Sequence, residues 1–485
     1  MRKPLLFAFA AMCGVASAVA FDVEVDGIAY NKLSDADKTL EVTFHIPAAD
    51  DYSKPTGGYT GDVVVPSAVT IGDETWTVSA VGYGAFASST MTSLSLPATI
   101  VSIGENAFYK ASVPEVDVPT GVESIGYQAF NLSSVTKVVL PSTLKTLGNY
   151  AFTFCRQLAE IDMSACAITE LPQYTFNQCQ VLAEVKIPAS VEKMGNYVFN
   201  SCRALKEVEI PESVTELGTN IFSGCSSLEK VVLNAKVEAI PESMFNNCTA
   251  LKTVVFPTGL KSVGYRSFMH CSGLEGIDLP STVTSIGTQA FSDCSSLESI
   301  TLPDGLTEMS DLVFEDCKAL DNVVLPKAIT VVPKSLFSGC SSLKNVTLAD
   351  GTTELMDYAF ASCSSLASID FPESVTKIGA YAFRKCTSFE TITLPAALTE
   401  IAKNTFDGCT GLKSVSVHDG ISKIGASAFN GCTALEDVSL GSGLATMDSY
   451  VFYGCKAIKS VESYALTAPK GSGNCFDAAD ACILK

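Results

Sequence analysis

Histidine is nearly missing. Only His45, His270 and His418 occur in 485 residues. That leaves little material for a histidine base beside a serine or cysteine nucleophile. His270 adjoins Cys271, but sequence neighbours seldom form a nucleophile–base pair. Positive charge is short as well. Lys and Arg number 32 against 52 Asp and Glu, a formal net charge of −20. A chain this acidic does not bind nucleic acid through its bulk field, because phosphates need cationic partners. An anionic membrane surface is disfavoured for the same reason. Gly-x-Ser-x-Gly, His-Glu-x-x-His and glycine-rich phosphate loops do not occur, which removes the chemistry those motifs carry. Beyond the first twenty residues no apolar run reads as a membrane span. Charged residues are 17% and hydrophobic residues 47%, the balance of a folded chain with a large buried fraction. One ordinary core cannot serve this length, so several domains or a repeat array are required.

Residues 1–20 have the pattern of an export signal. Arg2 and Lys3 precede an apolar run from Leu5 to Met12, and Ala16-Ser17-Ala18 and Ala18-Val19-Ala20 are small-residue cleavage patterns. Met12 before Cys13 disfavours a lipoprotein site. Removal of Arg2 and Lys3 takes the net charge from −20 to −22. The expected product is exported, secreted or at the cell surface, with the periplasm as an alternative address, and it is not inserted in a membrane once the signal is gone.

Internal repetition decides the fold. Phenylalanines recur at Phe86, Phe108, Phe130 and Phe152 in steps of 22, then at Phe176 after a step of 24. From there every step is 23, through Phe199 and Phe222 to Phe452, giving seventeen anchors. In Leu297-x-x-Ile300-x-Leu302-Pro303 the apolar residues alternate with polar ones, as in a strand buried on one face. Proline follows that strand in eleven units and ends its ladder. In the second half, Ile286, Ala290, Phe291 and Cys294 suit one face of a short helical turn. Glycine stands four residues before the anchor in ten units, such as Gly104, Gly195 and Gly425. A tight turn would call for it there. No unit buries its own apolar face, so units must stack.

The pattern Leu-x-x-Ile-x-Leu-Pro, then Ile-Gly-x-x-Ala-Phe-x-x-Cys, resembles the leucine-rich repeats, and among them the bacterial-surface-antigen (BspA-like, treponemal) type. The resemblance implies an α/β repeat solenoid, an arc of about 17 units of 22–24 residues. It also implies a surface or secreted protein of the adhesin kind, binding host, matrix or microbial proteins. The expected organisation is a signal peptide (1–20), a small N-terminal β cap (21–78), the solenoid (79–463) and a C-terminal cap or truncated flank (464–485). The cap is expected from alternating stretches such as Phe21-Asp-Val-Glu-Val and from the sole tryptophan, Trp76. No anchoring segment follows Lys485, so either release from the cell or a fragment of a longer chain is expected.

Of 18 cysteines, fourteen stand three residues after an anchor, from Cys155 to Cys455. One thiol per coil does not converge four ligands on a zinc ion. Parallel side chains ~4.8 Å apart also fit a disulfide poorly. A column of small buried hydrophobes is expected, with no metal and no cofactor. Cys475 and Cys482, outside the column, are a candidate disulfide pair. Tyr150, Tyr197, Tyr265, Tyr358, Tyr381 and Tyr450 cluster just before anchors, and packing beside the phenylalanines is expected of them.

The outward residues of the strand face are the binding candidates: Glu160, Asp162, Glu184, Lys186, Glu207, Glu209, Glu229 and Lys230. They form an acidic row suited to a basic patch on an extracellular partner. The function expected is non-enzymatic protein binding. A structural or self-associating envelope component is the alternative.

Overall fold

The computed structural model describes residues 20–48, 55–465, 467–471, 474–476 and 483–484. The export signal, up to residue 19, lies outside them.

The N-terminal segment folds first into antiparallel pairs and then feeds the stack. Strand β1 (Val23–Val25) pairs antiparallel with β2 (Ile28–Ser34), and β2 with β3 (Thr39–Val42). Strand β4 (Thr60–Val64) runs parallel to β7 (Thr90–Ser95), and β5 (Ala68–Ile71) antiparallel to β6 (Glu74–Val81). Strand β6 runs parallel to β3 and to Ser102–Ile103, the first short strand of the repeats. The expected boundary between residues 78 and 79 thus falls inside β6. Trp76 is buried there with the ammonium groups of Lys32 and Lys38 at 4.6 and 4.7 Å from its ring. Tyr59 ties this segment to the repeats. Its hydroxyl donates to the Thr43 carbonyl (2.7 Å) and accepts from the Ala29 amide (3.1 Å), while its ring lies 5.1 Å from Phe86.

Most later coils contribute one strand to each of two parallel ladders, and the coils around Val185 and Ile369 contribute only the shorter one. The longer strand carries the Leu-x-x-Ile-x-Leu motif. Gly276–Asp278, for example, pairs in parallel with Ser299–Thr301. The shorter holds two residues, as where Ser285–Ile286 lies between Ser262–Val263 and Glu308–Met309. Partners are 23 residues apart, so equivalent side chains superpose in columns. Leu274, Ile277, Val283, Ile286, Ala290, Phe291 and Cys294 are all buried between the ladders. The phenylalanine anchors form one stack from Phe86 to Phe452, with neighbouring ring centroids 4.6–5.9 Å apart, and Phe476 extends it. Offset stacking of this kind adds about 0.5–1.5 kcal/mol per pair to the burial itself.

The expected helical turn is not a helix. The described residues contain none, so the architecture is a strand-and-turn solenoid and the α/β assignment is corrected. Around Phe268, alternate amides act differently. Ser267, Met269 and Cys271 donate to the carbonyls three residues back. Arg266, Phe268 and His270 donate to the next coil, at Thr288, Ala290 and Ser292 (3.0, 2.8 and 2.9 Å). Arg266 and His270 have φ of 52° and 60°, the left-handed values that a type II turn needs at its third position. An α-helix tolerates neither. Three overlapping turns bury their apolar residues at spacings close to those of a helix, which is why the sequence pattern suggested one. Every backbone donor from Arg266 to Cys271 is nevertheless satisfied.

The glycines four residues before the anchors have another cause than the expected tight turn. None of them has a positive φ. A β-carbon at Gly148 would lie 2.4 Å from the Gly126 carbonyl carbon and the Tyr127 amide nitrogen, and one at Gly195 2.5 Å from the Gln173 nitrogen. Glycine is needed because the neighbouring coil's backbone passes too close for any side chain.

Candidate functional site

The long-strand face presents the candidate residues from successive coils. Glu160 and Asp162 flank buried Ile161 on the strand Glu160–Asp162 and point outward. Glu160 pairs with Lys137 of the preceding coil at 3.0 Å. Asp162 accepts from the amide (3.0 Å) and hydroxyl (2.8 Å) of Ser164, which hold its carboxyl below the usual range. Glu184 and Lys186 are exposed on either side of Val185, in a coil that has no long strand. The ladder is interrupted there, between the block ending at Glu160–Asp162 and the block starting at Glu207–Ile210.

A sequence irregularity precedes the interruption. The 24-residue step places one extra residue between Ile161 and Ile168. The chain turns at Ser164 and buries Cys166, whose thiol donates to the Pro141 carbonyl at 3.4 Å. Beside this irregular coil lies an open depression of about 510 Å³, lined by Glu160, Asp162, Ser164, Glu184 and Lys186 among others. The structure therefore brings the first four candidates together. Glu207 and Glu209 follow on Glu207–Ile210, where Glu209 accepts from the Asn234 amide at 2.7 Å. Glu229 reaches Lys252 at 3.7 Å, and Lys230 opens the strand Lys230–Leu233. Ion pairs between adjacent coils recur along the solenoid, as in Lys261–Glu238, Lys344–Asp321 and Lys413–Glu390. Both partners of these pairs are largely exposed, so they shape local charge more than they stabilise the fold.

The turn edge carries side chains that reading the sequence undervalued. Most of the tyrosines near the anchors do not pack beside the phenylalanines. Tyr150, Tyr174, Tyr197, Tyr358 and Tyr381 stack on one another, half-exposed, across coils, while Tyr265 meets Arg266 and Tyr450 meets Tyr453 of its own coil. Tyr150–Tyr174 and Tyr174–Tyr197 are parallel pairs at 4.6 and 4.7 Å. Tyr127 meets Tyr150 edge-on at 5.7 Å, and Tyr358–Tyr381 form another parallel pair at 4.6 Å. Tyr83, Tyr127 and Tyr174 were missed because the signal lies in the alignment of units and not in any one of them. Tyr150, Tyr174 and Tyr197 also hold left-handed φ of 58–61°, a conformation costly for a bulky L-residue. Ring stacking offsets that cost.

The thiols do more than fill space. Each of the fourteen column cysteines donates to the carbonyl of the anchor phenylalanine one coil back, from Cys155–Phe130 (2.9 Å) through Cys294–Phe268 (3.1 Å) to Cys455–Phe429 (3.0 Å). Burial pushes the thiols from Cys155 to Cys409 up, Cys225 and Cys409 to about 12, so they are poor nucleophiles and poor metal ligands. His270 does not face Cys271. Its ring is at the surface, 3.5 Å from Asp293, while Cys271 is buried and bonded to the Phe245 carbonyl. Cys475 donates to the Asp448 carbonyl at 3.3 Å. Cys482, its candidate disulfide partner, lies outside the described residues. Among the described residues no group of three or more His, Cys, Asp or Glu could hold a metal ion.

Comparison with known proteins follows the same repeat. A family described as BspA type Leucine rich repeat region (6 copies) matches residues 79–169, 169–281, 261–387 and 353–478. A leucine-rich repeat protein from Bacteroides ovatus ATCC 8483 is 29% identical over 82% of this chain and 95% of its own, with a TM-score of 0.62. A leucine rich cell surface protein from Faecalibacterium prausnitzii A2-165 is 24% identical over 92% of this chain and 96% of its own, with a TM-score of 0.32. The T. pallidum leucine-rich repeat protein is 28% identical over 42% of this chain and 82% of its own, with a TM-score of 0.26. No curated protein matches.

Proposed function

The chain belongs to the BspA-type leucine-rich repeat family, and from that premise we propose that it is an exported, non-enzymatic scaffold that binds extracellular or surface proteins of host, matrix or microbial origin. The observation that carries this reading is the acidic depression, where Glu160, Asp162 and Glu184 converge beside Lys186 on the long-strand face. A basic patch on a partner suits that site, and Glu207 and Glu209 extend it on the next long strand. Export rests on the leader pattern of residues 1–20. Among the described residues no helix is long and apolar enough to cross a membrane.

The test is retention of the purified chain on reconstituted basement-membrane matrix across a salt series. Retention is expected to fall as salt rises, because exposed charges are screened within about 10 Å at 0.1 M. Glu184→Gln with Glu207→Gln is expected to weaken it at low salt. Retention unchanged at high salt removes the charge-based mechanism. Self-assembly of the chain with no retention on matrix favours the structural envelope component instead.

A further inference from the structure

The turn edge treats its aromatic rings differently along its length, and the difference identifies a ligand. In the later coils the chain's own cations cover tyrosine rings. The Arg266 guanidinium lies 4.7 Å from the Tyr265 ring centroid, and Lys403 and Arg384 lie 5.7 and 6.0 Å from that of Tyr381. In the first seven coils, the two positions before each anchor's preceding residue run from Tyr83-Gly84 to Thr219-Asn220. They hold tyrosine, asparagine, glutamine, glycine, threonine and one charged residue, Glu105. Among the described residues no cation lies over Tyr83, Tyr127, Tyr150, Tyr174 or Tyr197.

Tyr83, Glu105 and Tyr127 occupy one position in three consecutive coils, so the carboxylate stands between two phenol rings. Both tyrosines are 41% exposed, and Glu105 is exposed too. One oxygen of Glu105 accepts from the Asn106 amide at 3.1 Å. The rings are held from behind. Phe44 meets Tyr83 edge-on at 6.4 Å, and the stack that begins at Tyr150 backs Tyr127. Burial raises both phenols, and the field of Glu105 adds to the effect.

We propose that Tyr83, Glu105 and Tyr127 form a clasp for the cationic side chains of a basic peptide segment on a partner protein. The proposal rests on the scaffold reading above but assigns the contact to the turn edge. A cation there gains the negative faces of two rings and a carboxylate at once. The later coils show the chemistry inside the molecule, where the Arg266 guanidinium lies over the Tyr265 ring. A net charge of −20 draws such a segment in. A neutral ligand gains nothing from the carboxylate, and the rings of Tyr150, Tyr174 and Tyr197 turn their faces to one another. Tyrosine flanked by asparagine and glutamine also supplies rigid contact area at low entropic cost.

The test is fluorescence anisotropy with a labelled arginine–serine repeat peptide and its citrulline–serine counterpart, which keeps shape and loses charge. The full chain is expected to bind the first and not the second. Glu105→Gln is expected to weaken binding about tenfold, and Tyr83→Leu with Tyr127→Leu by a similar factor. Tyr83→Phe with Tyr127→Phe keeps the rings and is expected to leave affinity within about twofold. An unchanged far-UV circular dichroism spectrum shows that each variant folds. Equal binding of the citrulline peptide, or full affinity in the leucine pair, overturns the clasp. Mannan retained by the wild type and lost in the leucine pair, with peptide binding intact, gives the edge to a glycan and also overturns it. Matrix retention lost in Glu184→Gln/Glu207→Gln while the clasp variants retain it keeps the scaffold and discards the clasp.

Discussion

On the long-strand face charges are answered one coil away: Glu160 by Lys137, Glu229 by Lys252, Asp321 by Lys344, Glu436 by Lys459. On the early turn edge rings are answered by rings, and one carboxylate, Glu105, stands between two of them with no cation paired to it among the described residues. Both surfaces come from the same coil and repeat with the same period. The difference lies in what backs them. Behind the long strands are alternating aliphatic side chains. Behind the turn edge are the phenylalanine stack and the thiol column, which tie each coil to its predecessor through a carbonyl. The strand face is consequently close to self-neutralised wherever pairs form.

Alkali separates the two surfaces most. Burial keeps the column thiols from Cys155 to Cys409 protonated in the folded chain, with Cys225 and Cys409 raised to about 12. In the unfolded chain they ionise near pH ~8.5. The folded state then binds more protons, so the free energy of unfolding falls as pH rises. The thiol contribution is complete below pH ~8.5 and is lost on the way to about 12, at about 1.4 kcal/mol per pH unit for each thiol. The strand-face pairs keep their charge across most of that window, since Glu160 and Glu436 raise Lys137 and Lys459. Urea melts at pH ~7 and ~10 measure the difference, and an unchanged midpoint refutes a protonated column.

Crowding gives a smaller contrast. Gly148→Ala forces a β-carbon against the Gly126 and Tyr127 backbone at 2.4 Å and is expected to cost about 1–3 kcal/mol. Gly259, in the loop after a long strand, has nothing within 4 Å of the point where a β-carbon would stand. Gly259→Ala is expected to stay within about 0.5 kcal/mol. Denaturant midpoints compare the two, and an equal response erases the distinction between a crowded edge and an open one.

Much of this was legible in the chain. The phenylalanine register and the Leu-x-x-Ile-x-Leu alternation determine the coil, because burial on one face of a strand leaves a period-two trace. The turn edge was misread for a physical reason. Its left-handed positions are mostly filled by residues such as Tyr150, Arg266, Gln289 or Ser335, with glycine only at Gly84, Gly224, Gly339, Gly408, Gly431 and Gly454, so few breaker signals interrupt a spacing that mimics a helix. Bonds to the next coil are what make those positions tolerable, and they exist only in the stack. The glycines were legible as special, but whether a turn or a close approach demanded them depends on the neighbouring coil. On the strand face, alternation exposed Glu160, Asp162, Glu184 and Lys186 one by one. That they share a depression with Ser164, where the coil is one residue longer, is visible only once the coils are stacked.

The bonds that join one coil to the next run along the axis of the stack, from Phe86 to Phe452. That geometry governs how the molecule bears load. Tension applied between its ends acts on one coil interface at a time and not on all of them together. A coil of 23 residues adds only ~4.8 Å to the folded length but about 80 Å when drawn out. Under pulling, the force–extension record is therefore expected to rise in steps of roughly that length. A tether built this way lengthens by single coils before it parts, so a contact at its far end is kept while the ends move apart.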